Sequence, residues 1–202
     1  TDRIDLYQLH QPDPTVPIAE TLGALDDLVR AGKVREIGCS NFSAPQLQEA
    51  TAIAAKGSAR FVSVQNEFSL VHREPEREVL PECARLGIKF LPYFPLASGL
   101  LTGKYRRGKA APEGTRLSQG WAASRFATDE KFATAEALDA FARSRNRSLL
   151  ELAISWLASH EMVASVISGA TSTEQVRQNV AACSWELTKT DLAEIDRIAP
   201  LR

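Results

Sequence analysis

Short apolar runs alternate along this chain with longer stretches whose apolar residues recur at helical spacing. Residues 4–10 read as a strand that ends in His10. After Pro17, the apolar positions Leu22, Leu25, Leu28 and Val29 fall on one helical face, and Gly32 ends that helix. Residues 34–39 form a second strand, Ser40-Asn41-Phe42-Ser43 turns the chain, and residues 46–55 make the next helix. A third strand follows at 61–65, a helix at 78–86 stopped by Gly87, and a fourth strand at 88–92. The Gly, Pro, Lys and Arg content after Lys104 predicts one long loop, spanning about 104–128. Helices are expected at 129–146, from Ser148 to about 157, at 173–182 and at 189–198, with a fifth strand at 163–167. Thr188-x-x-Asp191 comes close to a capping box for the last helix.

Five strand–helix units with glycine-marked returns argue for an α/β fold with a parallel sheet. A doubly wound sheet and part of a (β/α)8 barrel fit that alternation equally well. No glycine-rich phosphate loop follows a strand, as a dinucleotide fold of the doubly wound type requires. Polar residues instead close several strands at their carboxyl ends: His10, Ser40-Asn41, Gln65-Asn66 and Tyr93. That distribution is how a TIM barrel assembles a site. A complete barrel takes about 250 residues, so this chain of 202 residues is read as one domain, 1–202, supplying the carboxyl-terminal five units, strands 4–8. An open piece of barrel exposes a parallel edge. The expected cover is an amino-terminal segment or another copy of the chain.

Composition narrows the function classes. Hydrophobic residues at 44% and charged residues at 24% are ordinary for a globular domain. A formal net charge of -1 gives no electrostatic basis for binding nucleic acid or an anionic membrane. No apolar run reaches the length of a membrane helix. Arg73, Arg77 and Arg85 interleaved with Glu74, Glu76, Glu78 and Glu82 read as a solvated helix face. Cys39, Cys83 and Cys183 are odd in number and far apart, and read as reduced core or near-core thiols of a cytoplasmic protein. No Cys or His pair stands at ligand spacing, so no metal site is expected.

Four segments carry a resemblance. Ile37-Gly38-Cys39-Ser40-Asn41-Phe42, Val64-Gln65-Asn66-Glu67, the run from Pro92 through Leu96-Ala97-Ser98-Gly99 to Lys104, and Ile167 through Val176 resemble, in order, the aldo-keto reductase family. The closest look is to its bacterial branch, which is also similar to potassium-channel beta subunits. The resemblance implies a (β/α)8 barrel that binds NADPH across its carboxyl face and reduces small-molecule aldehydes or ketones without a metal. It implies His10 as the active-site histidine, donating a hydrogen bond to the substrate carbonyl on which charge develops. Ser40, Asn41 and Gln65 would hold the nicotinamide carboxamide, and Tyr93 would stack on its ring. Phe94 stands where many relatives have Ser. Leu96, Ser98, Leu100, Lys104 and, in a looser register, Arg116 would hold the pyrophosphate. Trp121 and Phe126 either cover the site or simply pack.

At the adenosine end the implied residues are Gly169, Thr171, Gln175, Gln178 and Asn179. Gly169 stands where many relatives that read a 2′-phosphate have Lys or Ser, and Gln175 where they have Arg, whose charged fork Gln lacks. The expectation is NADPH, with NADH as the alternative. The family's proton donor is a Tyr assisted by Lys and Asp from the first three strands, and the resemblance places those strands ahead of Thr1. The expected whole is therefore an NADP-dependent reductase. The alternatives are a catalytically inactive truncated barrel and a redox-sensing dinucleotide-binding subunit.

Overall fold

The computed structural model describes residues 1–55 and 57–201. The chain divides into two compact units. The first comprises Thr1–Glu67, Pro75–Leu91 and Met162–Ser165, and the remaining described residues make the second.

The first unit is a parallel sheet with helices between its strands. Strand β1 (Ile4–Leu9) leads through α1 (Ile18–Arg30) to β2 (Val34–Ser40), through α2 (Ala44–Ala54) to β3 (Phe61–Gln65), and through α3 (Val79–Leu86) to β4 (Lys89–Phe90). The strand order is β1-β2-β3-β4, all parallel. Sequential order is how a barrel wall is wound, whereas a doubly wound sheet reverses direction part-way. The alternative left open by the alternation is thereby decided in favour of the barrel type of winding. Helix α1 buries Leu22 and Leu25 as its periodicity predicts, and Gly32 supplies the left-handed turn (φ 69°) into β2. The core of this unit holds Ile37, Cys39, Phe42, Leu47, Phe61, Val64, Cys83 and Phe90. Phe42 meets Phe61 edge-on at 5.5 Å. Strand β1 lies at the sheet edge and leaves Ile4, Leu6 and Tyr7 exposed.

Two strand expectations need correction. The fourth strand is only Lys89–Phe90, not 88–92, because Pro92 has no N–H to continue the ladder. The fifth, expected at 163–167, is reduced to a single parallel bridge between Phe90 and Val163. Phe90 N–H donates to the Met162 carbonyl at 2.8 Å and Ala164 N–H donates to the Phe90 carbonyl at 3.1 Å. A two-residue strand offers no partner for a longer one.

The second unit is helical: α4 (Gly120–Phe126), α5 (Asp129–Ser144), α6 (Leu149–Ala158), α7 (Thr173–Ala181) and α8 (Lys189–Ile198). Helix α4 lies inside the stretch expected to be loop, which corrects the 104–128 assignment. Gly120, at φ 76°, and the Gly/Ser/Gln surroundings hid its onset. Helix α6 starts from a capping box in which Glu151 N–H donates to Ser148 Oγ and Ser148 N–H donates to Glu151. Thr188 and Asp191 form the same arrangement at α8. The core gathers Phe68, Leu101, Phe126, Leu138, Leu152, Trp156 and Ile195.

The charged stretch 73–85 is not a solvated helix face. Glu74–Glu76 is a single 3-10 turn, and Arg73 is buried. Its guanidinium donates to the Ala199 carbonyl at 2.6 Å and to Asp196 at 2.8 Å, and lies 5.1 Å from the Trp156 ring centroid. Glu82 is also buried, and pairs with Arg85. No helix among the described residues is long and apolar enough to cross a membrane.

Candidate functional site

The carboxyl ends of β1, β2 and β3 are tied together by the polar side chains that close these strands. Ser40, buried at the end of β2, donates from Oγ to the Gln65 carbonyl at 2.6 Å. Asn41 N–H donates to the same carbonyl at 3.1 Å. The Asn41 side-chain amide donates to Ser40 Oγ at 3.2 Å and to the His10 carbonyl at 3.0 Å. These bonds require the left-handed backbone of Asn41 (φ 63°), a conformation Asn adopts more readily than most residues. The His10 ring stays exposed just past β1. Asn66 donates from Nδ2 to the Phe42 carbonyl at 2.8 Å and so pins the turn after β2.

One row below in the same sheet lie Gln8, Gly38 and Ser63, neighbours across three strands. Residues two apart in a strand share a face, so this row underlies Ser40 and Gln65. A Cβ at position 38 would collide with Ser63 Oγ, which is why a glycine stands there. Ser63 Oγ and Gln8 Nε2 are buried with no hydrogen-bond partner among the described residues. Sequence reasoning missed this polar row. Its signal was the two-residue phase that Gln8 shares with His10, and Ser63 with Gln65.

In the second unit, the segment after β4 concentrates unusual backbone. Phe94, Ala97 and Ser98 have φ of 52°, 46° and 57°, followed by Gly99 at 97° and Gly103 at 79°. Each non-glycine residue so placed costs about 1–3 kcal/mol and persists only where surrounding structure imposes it. Ser98 and Leu100 are buried, Leu96 half-buried. Lys104 is exposed, and its Cε and Nζ lie 3.2 Å from where a Gly99 side chain would begin. Within this run the Ala97 and Gly99 N–H groups donate to the Phe94 and Leu96 carbonyls, at 2.9 and 2.8 Å.

Tyr93 and Phe94 open an aromatic chain. Their rings are 5.3 Å apart, and Phe94 then meets Trp121 and Phe126, each at 5.7 Å. Phe126 is fully buried and packs, whereas Trp121 is 61% exposed. The base of the loop is fastened to α5. Arg106 and Arg143 both reach the buried Asp139, at 3.4 and 3.2 Å. Arg107 pairs with Asp129 at 3.1 Å and donates from its backbone to Glu136 at 3.0 Å.

The same unit gathers the residues expected at the adenosine end. Gln175 Oε1 accepts from Thr171 N–H at 2.7 Å and from the Thr171 hydroxyl at 3.1 Å. Asn179 Nδ2 donates to the Gly169 carbonyl at 3.5 Å. Gln178 donates to Glu174 at 3.1 Å, and Arg177 approaches the same carboxylate at 4.0 Å. Arg116 reaches this group from the long loop. Its Nη2 lies 3.6 Å from the position a Cβ would take at Gly169.

The cysteines offer no nucleophile in the core. Burial pushes the Cys83 thiol up to about 12, and Cys39 higher still. Cys183 is exposed, which corrects its placement near the core. It lies on a 3-10 turn that follows α7 directly, outside that helix's apolar pattern. No cluster of three His, Cys, Asp or Glu side chains that could hold a metal occurs among the described residues.

Residues 1–200 match the sequence model of the aldo/keto reductase family. An aldo-keto reductase of Fusarium vanettenii is 36% identical over 194 residues, covering 95% of this chain and 51% of that protein. The NADH-specific methylglyoxal reductase of Escherichia coli is 33% identical over 196 residues, covering 94% of this chain and 57% of its own length. A probable voltage-gated potassium channel subunit beta of Oryza sativa is 34% identical over 185 residues, with 90% and 56% covered. The chain thus spans a little over half the length of these relatives. On the match over residues 1–200, the chain belongs to the aldo/keto reductase family.

Proposed function

We propose that this chain contributes to NADPH-dependent reduction of an aldehyde or ketone to the alcohol. The observation that carries the reading is the left-handed run through Phe94, Ala97, Ser98 and Gly99 with the Lys104 ammonium over Gly99. A Cβ at position 99 would stand 3.2 Å from Lys104 Cε and Nζ, closer than ordinary contact. A strained backbone beside one exposed ammonium suits a pyrophosphate.

The residues divide the work. Leu96, Ser98, Leu100 and Lys104 hold the pyrophosphate. Gly169, Thr171, Gln175, Gln178 and Asn179 hold the adenosine. Ser40, Asn41 and Gln65 orient the carboxamide, so that one face of the ring is presented. Tyr93 supports that ring. When bound, the dihydronicotinamide supplies the hydride. His10 donates a hydrogen bond to the substrate oxygen and stabilises the negative charge that grows there. The proton for that oxygen comes from the Tyr of the family's pattern, which none of these residues replaces. A non-catalytic, redox-sensing role is the second reading, favoured by the similarity to a channel subunit beta.

The test is titration of the protein with NADPH and NADH, followed by nucleotide fluorescence, beside Lys104→Ala. Saturable binding that weakens about tenfold in the variant, the size of one lost charge-assisted contact, is expected. Absence of binding by either dinucleotide overturns the reading. Binding without NADPH oxidation when aldehydes are added selects the sensing role.

A further inference from the structure

A neutral histidine that donates to a substrate oxygen must carry its proton on the nitrogen facing that oxygen, and the partner of the other ring nitrogen decides this. On the reading proposed above, His10 needs such a partner. Its ring forms no hydrogen bond or ion pair with a described residue. The polar side chains that close the neighbouring strands are spent elsewhere. Ser40 Oγ donates to the Gln65 carbonyl, the Asn41 amide serves the His10 carbonyl and Ser40 Oγ, and Asn66 Nδ2 donates to the Phe42 carbonyl. The Gln65 amide is assigned to the carboxamide.

One donor next to His10 on the same strand is not spent. Gln8 Nε2 is buried and has no hydrogen-bond partner among the described residues. A buried amide donor left unpaired is costly and calls for an explanation. Gln8 precedes His10 by two residues, so both side chains leave the same face of the sheet. About 6.6 Å separates positions two apart in a parallel strand, which the stem of a glutamine spans. Gly38 pairs with Gln8 across β1 and β2, and a Cβ there would stand 3.2 Å from Gln8 Cγ, so the glycine gives that stem its room. The Ser63 hydroxyl is also unpartnered, but it stands on β3, two strands away. The geometry points to Gln8 as the positioning residue of His10: its amide N–H donates to Nδ1 of the imidazole, which leaves the ring proton on Nε2, directed at the substrate oxygen. Gln8 touches neither substrate nor cofactor and acts through His10. An amide nitrogen only donates, whereas a carboxylate at position 8 would only accept and would draw a proton to Nδ1.

The test is nitrogen NMR of the 15N-labelled chain, which has three histidines, His10, His72 and His160. The ring signals that vanish in His10→Gln are those of His10. A scalar coupling across the hydrogen bond, between Gln8 Nε2 and His10 Nδ1, is expected in the free protein and with NADPH added, with the ring proton on Nε2. Gln8→Met keeps an apolar stem of similar length and should abolish the coupling. Gln8→Glu should place a proton on Nδ1 of His10, a change that a purely packing role for Gln8 would not produce. Absence of the coupling both with and without NADPH overturns the inference. So does a His10 ring whose protonation pattern is the same in Gln8→Glu as in the unsubstituted protein. Coupling in a protein that binds neither NADPH nor NADH supports the pairing and removes the dinucleotide reading, so the two can fail separately.

Discussion

Ser40 Oγ and the Gln65 carbonyl oxygen stand 2.6 Å apart and join the carboxyl ends of β2 and β3. The hydroxyl has a second task, since it accepts from the Asn41 amide at 3.2 Å. One side chain therefore holds two of the proposed carboxamide-orienting residues in place. Ser40→Ala removes a donor from a buried carbonyl and an acceptor from the Asn41 amide. The carbonyl keeps the Asn41 N–H as a partner, so the loss should be about 1–2 kcal/mol. Urea denaturation measures it, and an unchanged midpoint would show that the bond contributes nothing net.

Gly38 and Ser63 give a sharper test, because the effect depends on the pair. Gly38→Ala drives a methyl group into Ser63 Oγ. Ser63 sits in a buried strand with no slack, so overpacking of about 1–3 kcal/mol is expected. Ser63→Ala alone should be near neutral, since its hydroxyl has no partner among the described residues. In the Ser63→Ala background, Gly38→Ala should cost clearly less. Additive losses in this double-mutant cycle would mean that the collision is relieved in some other way.

Much of this arrangement was legible in the sequence, and the exceptions have physical causes. Phe61–Gln65 and Lys189–Ile198 stand where their periodicity placed them, because each has a strong apolar pattern between clear stop signals. The set His10, Ser40, Asn41 and Gln65 was readable as polar residues closing successive strands. What the pattern could not carry was context. Val163 reads as a strand, but β4 offers it only Phe90 to pair with. Arg73 reads as surface charge, but Trp156 and the carboxyl end of α8 take it inside. Arg116 and Gly169 are separated by more than fifty positions, and no local signal reports that they meet.

Acid should weaken the α8 end of the second unit. The Thr188 hydroxyl donates to Asp191 at 2.7 Å and, despite burial, holds its carboxyl below the ordinary aspartate range, with help from the Thr188 N–H and from Arg145 at 3.2 Å. A carboxyl whose folded value is depressed contributes stability above its unfolded value, from about pH 4 upward. That contribution is lost as pH falls through the lower, folded value. Asp191→Asn removes the titration, so its stability should fall less steeply than that of the unsubstituted protein below about pH 4. Thermal denaturation between neutral and strongly acidic pH provides the comparison. Parallel acid slopes would exclude Asp191 as a contributor.

Arg73 supports the carboxyl end of α8 from below, through Asp196 and the Ala199 carbonyl, while stacked near Trp156. Arg73→Met keeps a long apolar stem but gives up these hydrogen bonds. Asp196 is 60% exposed at its side chain and returns to water at little cost. The Ala199 carbonyl, in a residue only 4% exposed, does not. A loss of about 1–3 kcal/mol is therefore expected. It should be accompanied by faster amide exchange in the last turn of α8, with the first turn, capped by Thr188 and Asp191, unaffected. Arg73→Lys should restore little, because a single ammonium cannot serve the carbonyl and the carboxylate in the plane of a guanidinium. Exchange that rises evenly along α8 would instead mean that the helix opens as one body and that Arg73 fastens no particular end of it.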